Sequence, residues 1–126
     1  EHVHQVSRRT GLPIHLKILD VPDAVPLDQA TCLFRVMQES VQNVVKHAQA
    51  TTVTVQLRGS SKGVGLSVID NGRGFDSQDL RTHQQGLGLS SMEERLRQLH
   101  GFFRIQSRPS HGTKVCAWVP CEVEVT

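Results

Sequence analysis

From about Asp28 to Ala48, apolar side chains recur at Ala30, Leu33, Phe34, Met37, Val41, Val44, Val45 and Ala48. Steps of three and four place them on one face of a single long helix. Such a face must be laid on something, and the rest of the chain supplies strands. Residues 11–19 alternate Ile14, Leu16 and Ile18, after which "VPDAVP" breaks the chain. "TTVTVQLRG", with Val53, Val55 and Leu57 on one side, and "VGLSVID" form a hairpin across the turn residues "SSKG". Leu89, Met92, Leu96 and Leu99 mark a second helix ended by Gly101, and "FFRIQSR", "PSHG" and "TKVCAWVP" read as a closing hairpin. With the end of a further helix at residues 2–10, the set is about three helices and five strands. One twisted sheet with the helices on one face packs it most economically.

A chain of 126 residues with 37% hydrophobic content buries one core, so residues 1–126 are expected to form one domain. Fourteen Lys and Arg against 12 Asp and Glu leave a net charge of +2 with no like-charge run, which argues against a nucleic-acid or membrane partner. There is no apolar stretch near the roughly 18 residues a membrane span needs, and no secretory pattern. Cys32, Cys116 and Cys121 are odd in number and lack zinc-type pairing, and read as reduced thiols in a cytoplasmic protein. The opening "EHVHQVSRRTG", without Met, suggests a piece of something longer, whose parent can be membrane-anchored.

Opposite the apolar stripe of the long helix stand Arg35, Glu39, Asn43 and His47, four apart and so turned by about 40° at each step. Lys46 sits beside the row. A solvated face with an Arg35–Glu39 pair accounts for it at little energy. Asn43, however, is a poor residue for a helix interior, so its carboxamide should gain something there. Its oxygen suits Mg²⁺, a hard cation that keeps waters and takes few protein ligands. Glu39, one turn away, could orient or deprotonate a group near phosphates.

In "SVIDNGRGFD" (67–76), period two puts Leu66, Val68 and Asp70 on one sheet face and Gly65, Ser67 and Ile69 on the other. If Leu66 and Val68 meet the helices, so does the Asp70 carboxylate, at a desolvation cost that hydrogen-bond donors must offset. Thr113 shares parity with Val115, Ala117 and Val119 and brings a hydroxyl to the same layer. An acceptor and a hydroxyl at the end of an apolar slot suit a flat heteroaromatic amine such as adenine. The other reading is a strand-end Asp capping its own turn. Gly72 and Gly74 allow close approach of a ligand after the strand. Gly86 and Gly88 precede a helix whose free N–H groups favour phosphate. The polar residues between Gly74 and Gly86, with Phe75 and Leu80 as the large apolar exceptions, look like a lid. The pattern is neither a Walker A loop nor a dinucleotide fingerprint.

"FRVMQESVQNVVKHAQA", "DNGRGF", "GLGL" and "HGTKV", in this order and spacing, resemble the N, G1 and G2 boxes and final Gly-Thr of the GHKL ATPases. Within that family the chain looks most like the catalytic ATP-binding domain of two-component sensor histidine kinases, in the subgroup paired with NarL-type response regulators. The resemblance covers roughly residues 11–120. It implies a Bergerat fold, a two-layer α/β sandwich of a mixed, mostly antiparallel sheet with helices on one face. It also implies ATP and Mg²⁺ as ligands. Carried across by position, Glu39 is the catalytic N-box acid, Asn43 holds Mg²⁺, and Lys46 and His47 approach the phosphates. Asp70 accepts from the adenine amino group with Thr113 assisting, Gly72 and Gly74 shape the adenine pocket, Arg73 between them reaches either the nucleotide or only solvent, Phe75 counts among the nucleotide-binding residues, and the backbone of Gly86, Leu87, Gly88 and Leu89 holds phosphate.

The resemblance further implies a separate helical dimerisation domain carrying the phosphoacceptor histidine, and a homodimeric parent. None of the seven histidines here is followed by the acid that the subgroup's phosphoacceptor carries: Val3 follows His2 and Gln5 follows His4. The chain is therefore expected to bind ATP without completing autophosphorylation alone. Two other readings stay open: a serine kinase of the anti-sigma-factor type, and a nucleotide-sensing module that binds ATP without chemistry.

Overall fold

A computed structural model describes residues 12–74 and 89–121, with the backbone alone at residues 47, 48, 89 and 90. The helix end expected at residues 2–10 lies outside them. The described elements are β1 (Ile14–Leu19), α1 (Leu27–Asn43) running on into a π-helical turn (Val44–Ala48), β2 (Val53–Gly59), β3 (Gly63–Asp70), α2 (Leu89–Gln98), β4 (Phe102–Ser107) and β5 (Thr113–Pro120). The five strands form one sheet in the order β1-β2-β3-β5-β4. β1 and β2 are parallel because α1 crosses between them, and all other pairs are antiparallel. The mixed, mostly antiparallel sheet expected from the sequence is thus present, and both described helices pack on the same side of it.

The core lies between the layers. Val53, Val55, Leu66, Val68, Val115, Ala117 and Val119 rise from the sheet to meet Leu33, Val36, Met37, Val41 and Val44 of α1 and Leu96 of α2. Period two holds along β3 and β5, whose inner positions are buried while Ile69 and Lys114 are exposed. The three thiols are unpaired, as expected. Burial pushes the Cys32 thiol up against the opposing pull of the Arg95 charge, and burial raises that of Cys121 also.

Two helix ends differ from the sequence expectation. The helical stripe runs to Ala48, but the α-helical ladder stops at Asn43 and widens into the π turn, where Val44 N–H is shared between the carbonyls of Ser40 and Val41. Two adjacent β-branched residues, Val44 and Val45, crowd the preceding turn there. At the end of α2, Gly101 is not the left-handed residue. His100 takes that role with φ 63°, donating to Arg97 O at 3.0 Å while Gly101 N–H reaches Leu96 O at 2.8 Å. Gly101 is required for a different reason: a Cβ on it would stand 2.1 Å from the Trp118 carbonyl oxygen.

Candidate functional site

The site starts from the end of β3. Asp70 is 7% exposed at the end of the apolar row Leu66 and Val68, whereas Ile69 between them and solvent is 39% exposed. Its Oδ1 accepts the Gly72 N–H at 2.8 Å, and the backbone of Thr113, its register partner on β5, donates to the carboxylate as well. Asp70 thus closes its own turn, as one of the two readings had it, and does so while facing the helix layer. Burial raises the carboxyl above its ordinary value, with the Gly72 and Thr113 N–H groups pulling the other way. The result is a nearly dry acceptor at one end of the sheet.

The turn that follows is locked from two directions. Asn71, next to the candidate acid and passed over in the sequence, is a strut. Its Oδ1 accepts the N–H groups of Thr51 (2.9 Å) and Thr52 (3.0 Å), and its Nδ2 donates to Thr51 Oγ1 (2.7 Å). It thereby ties the segment leaving α1 to the strand end. On the other side, Ser110 N–H donates to Arg73 O at 2.6 Å. Gly74 has φ +66° and its absent Cβ would meet Arg108 O at 2.0 Å; Gly112 has φ +80° and its Cβ would meet Asp70 O at 2.0 Å. These two glycines let the turn after β3 and the turn between β4 and β5 touch backbone to backbone. Gly72 is buried beside Asp70, while Arg73 is exposed.

Thr113 faces inward as parity required, half-buried, but its hydroxyl has a neighbour the sequence did not disclose. Ser107, opposite it on β4, lies 2.9 Å away and itself donates to Gly112 O at 3.1 Å. With the Ser107 proton so directed, Thr113 donates to Ser107 and its oxygen keeps acceptor capacity alone. Asp70 and Thr113 both present acceptors, which matches an amine rather than a carbonyl.

The row on α1 does not stay on the solvent side. The 40° drift carries it from exposed Arg35 to half-buried Glu39 and Asn43, so the acid and the amide flank the core-facing stripe. Lys46 is exposed on the π turn. π turns inside helices are rare and concentrate at functional sites. This end of α1 meets the Asp70 end of the sheet: Val44, Gln49 and Thr51 line a hollow with Leu12 and Pro13, Pro13 O accepts Val53 N–H at 3.0 Å, and Val53 is the β2 partner of Asp70. The side chains of His47 and Leu89, and all of Phe75, Gly86, Leu87 and Gly88, lie outside the described residues.

Among the described residues no three His, Cys, Asp or Glu side chains cluster to hold a metal by themselves. One amide oxygen together with phosphate oxygens and waters is a donor set that Mg²⁺ accepts. An apolar cleft of about 300 Å³, lined by Leu16, Ile18, Leu33, Phe34, Met37 and Leu66 among others, sits over the other half of the sheet. Its lining side chains are all apolar, and it is not the candidate site.

The chain has relatives among known proteins. The chain is 35% identical over 112 residues to the sensor histidine kinase ComP of Bacillus subtilis, covering 89% of this chain and 15% of that protein. It is 33% identical over 111 residues to the nitrate/nitrite sensor protein NarX of Escherichia coli K12, covering 88% and 18%. The chain thus spans less than a fifth of the length of these two relatives. The histidine kinase domain of the Erythrobacter litoralis EL346 blue-light-activated histidine kinase shares the fold, with a TM-score of 0.72 at 21% identity over 94% of this chain and 60% of that one. Residues 28–123, which run from the first turn of α1 past the end of β5, match the histidine kinase-, DNA gyrase B- and HSP90-like ATPases; the chain belongs to that family, and membership implies ATP as its ligand.

Proposed function

We propose that this chain is the catalytic ATP-binding domain of a sensor histidine kinase. It binds Mg²⁺-ATP and donates the γ-phosphoryl group to a histidine on a separate helical dimerisation domain of the same homodimeric protein, for relay to a NarL-type response regulator. The observation that carries the reading is a carboxylate, Asp70, buried at the end of β3 facing the helix layer; half-buried Glu39 and Asn43 on α1 support it. In this reading Asp70 accepts from the adenine amino group, and Thr113 offers a second acceptor. Gly72, Arg73, Gly74 and Phe75 form the adenine side, and the backbone of residues 86–89 receives phosphate. Asn43 supplies an amide oxygen to Mg²⁺, which neutralises phosphate charge when bound. Lys46 adds a cation beside it, and His47 approaches the phosphates by its place in the sequence. Glu39 orients the incoming imidazole or takes its proton. Transfers of this kind rest on positioning and charge neutralisation more than on covalent chemistry by the protein.

The test is reconstitution. The chain is mixed with a separately produced helical domain from a relative, γ-labelled ATP and Mg²⁺, and the labelled residue is identified. Acid-labile label on the histidine of the helical domain supports the reading. Label on serine would move it to the anti-sigma-factor type, and ATP binding without transfer would leave a nucleotide-sensing module. The names of the relatives, sensor kinases and nitrate/nitrite sensors, favour histidine.

A further inference from the structure

The sheet has a second face, turned away from both described helices, and period two decides what it shows. Outward positions carry Lys17 on β1, Arg58 on β2, Lys114 on β5 and Arg104 on β4, all of them exposed. No outward position on any of the strands carries an acid. In a chain with 14 Lys and Arg against 12 Asp and Glu this is a local sorting of charge. No run in the sequence discloses it, because each cation comes from a different strand.

Gly65 stands on this face in the row Arg58, Gly65, Trp118 and Phe102, which crosses β2, β3, β5 and β4. A glycine inside a strand loosens it and packs nothing, and it is kept where something must approach the backbone closely. At Gly63, the preceding outward position, the fold itself makes that demand: a Cβ would stand 2.2 Å from Val119 O and 2.5 Å from Cζ2 of the Trp118 indole. At Gly65 it makes none. A Cβ there would come no nearer than 3.7 Å to any atom, an ordinary contact with Trp118 Cδ1. The open space over Gly65 is therefore not imposed by packing. It is the floor of a shallow pit of about 430 Å³ walled by Arg58, Ile69, Lys114 and Trp118. Ser67 and Cys116, whose Oγ and Sγ lie 3.9 Å apart, continue the floor. Phe102 is 58% exposed and stacks on Trp118 with ring centroids 5.5 Å apart, which fixes the indole wall.

We propose that this face docks an acidic amphipathic helix of a partner protein, with one large apolar side chain of that helix seated over Gly65 and its carboxylates meeting Arg58 and Lys114 on either side of the pit. β2 and β5 stand two strand spacings apart, about 10 Å, which is the width of a helix. Lys17 and Arg104, on the edge strands, extend the positive field that steers and orients an acidic partner. Other polyanions match the charge without matching the shape: a bilayer surface is flat and a nucleic-acid duplex carries no apolar knob, so neither fills the space over Gly65. The surface lies on the opposite side of the sheet from Asp70 and does not depend on what binds there.

Trp118 is the chain's one tryptophan, so its emission reports on this face. The full chain is titrated with a tryptophan-free helical peptide of about 16 residues that carries a central Leu flanked by Glu. The same peptide with Lys in place of Glu, the acidic peptide with Ala in place of Leu, phosphatidylglycerol vesicles and a short DNA duplex are titrated in parallel. The expected result is a saturable blue shift of Trp118 emission with the acidic Leu peptide, none with the Lys peptide, and binding at least about tenfold weaker with the Ala peptide. Arg58→Glu with Lys114→Glu weakens binding by about tenfold or more, and Gly65→Val, whose branched side chain fills the pit and suits a strand, abolishes it. Thermal melts show both variants folded, Gly65→Val at the wild-type temperature or above; should that variant not fold, the charge reversal at exposed positions decides. Absence of a saturable shift up to about 1 mM acidic peptide would overturn the proposal, as would equal binding of the Lys or Ala peptide or wild-type binding by the charge-reversed chain. An equal shift with the vesicles or the duplex would also overturn it and leave a general polyanion surface.

Discussion

Replacing Asp70 by Asn keeps the shape of the side chain and the oxygen that receives Gly72 N–H at 2.8 Å, and removes the charge. Two consequences of opposite sign follow. For the unliganded fold, the raised carboxyl means that the folded chain holds the anion at a cost at neutral pH. A carboxyl raised on folding contributes its stability when protonated; that contribution is present below the unfolded value near 4 and is lost as pH rises through the folded one. The unliganded Asp70→Asn protein should therefore melt at the wild-type temperature or above it at pH 7, and its relative advantage should shrink as pH is lowered toward 4. For the ligand, the acceptor proposed to meet the adenine amino group becomes an amide whose one oxygen is taken by the Gly72 and Thr113 N–H groups, so it turns an NH₂ donor toward a donor. A hydrogen bond to a charged group is worth about 1.5–3 kcal/mol, which corresponds to roughly a 10- to 150-fold weaker affinity for ATP. Calorimetric titration with Mg²⁺-ATP, paired with thermal melts across pH, reads both. Unchanged affinity would refute the pocket. Loss of affinity together with a melting temperature several degrees lower at pH 7 would show that Asp70 serves the fold, and would refute the sign of the burial argument.

Other perturbations separate chemistry from scaffold. Glu39→Ala should leave ATP affinity within about twofold and abolish transfer to a supplied helical domain; a labelled histidine at the wild-type rate would remove Glu39 from the mechanism. Asn71→Ala deletes three hydrogen bonds to Thr51 and Thr52 that are exposed, so it should cost about 1–3 kcal/mol. Denaturant titration measures that loss, and amide exchange should speed up selectively at Thr51 and Thr52. Gly112→Ala places a Cβ 2.0 Å from Asp70 O at φ +80°, and should destabilise by more than about 1 kcal/mol and weaken ATP binding together, because the clash displaces the strand end that carries the acid. A variant that melts and binds like wild type would mean that the two turns are not in contact.

The parts of this site visible in the sequence share one property. The inward direction of Asp70 follows from period two within β3, and the shared row of Glu39 and Asn43 from helical pitch, each needing only residues close in the chain; that the row lies on the flank of the apolar stripe and not opposite it shows only in the burial. The parts that were not visible need a partner many residues away. Asn71 reaches back twenty residues to Thr51, Gly74 is fitted to the backbone at Arg108, and Ser107 captures the Thr113 proton across a hairpin. The same division explains the helix ends: a glycine after the last apolar residue marked where α2 stops, but the choice of His100 over Gly101 for the left-handed position depends on Trp118 crowding the glycine from β5. Side-chain direction was therefore legible where it rides on a periodic element, and the groups that hold the Asp70 turn in place were not. It follows that the rigidity of the Asp70 turn is supplied by contacts that sequence periodicity does not report. Substitutions at Asn71 or Gly112, neither of which is assigned a ligand, should move the acceptor as surely as substitutions beside it.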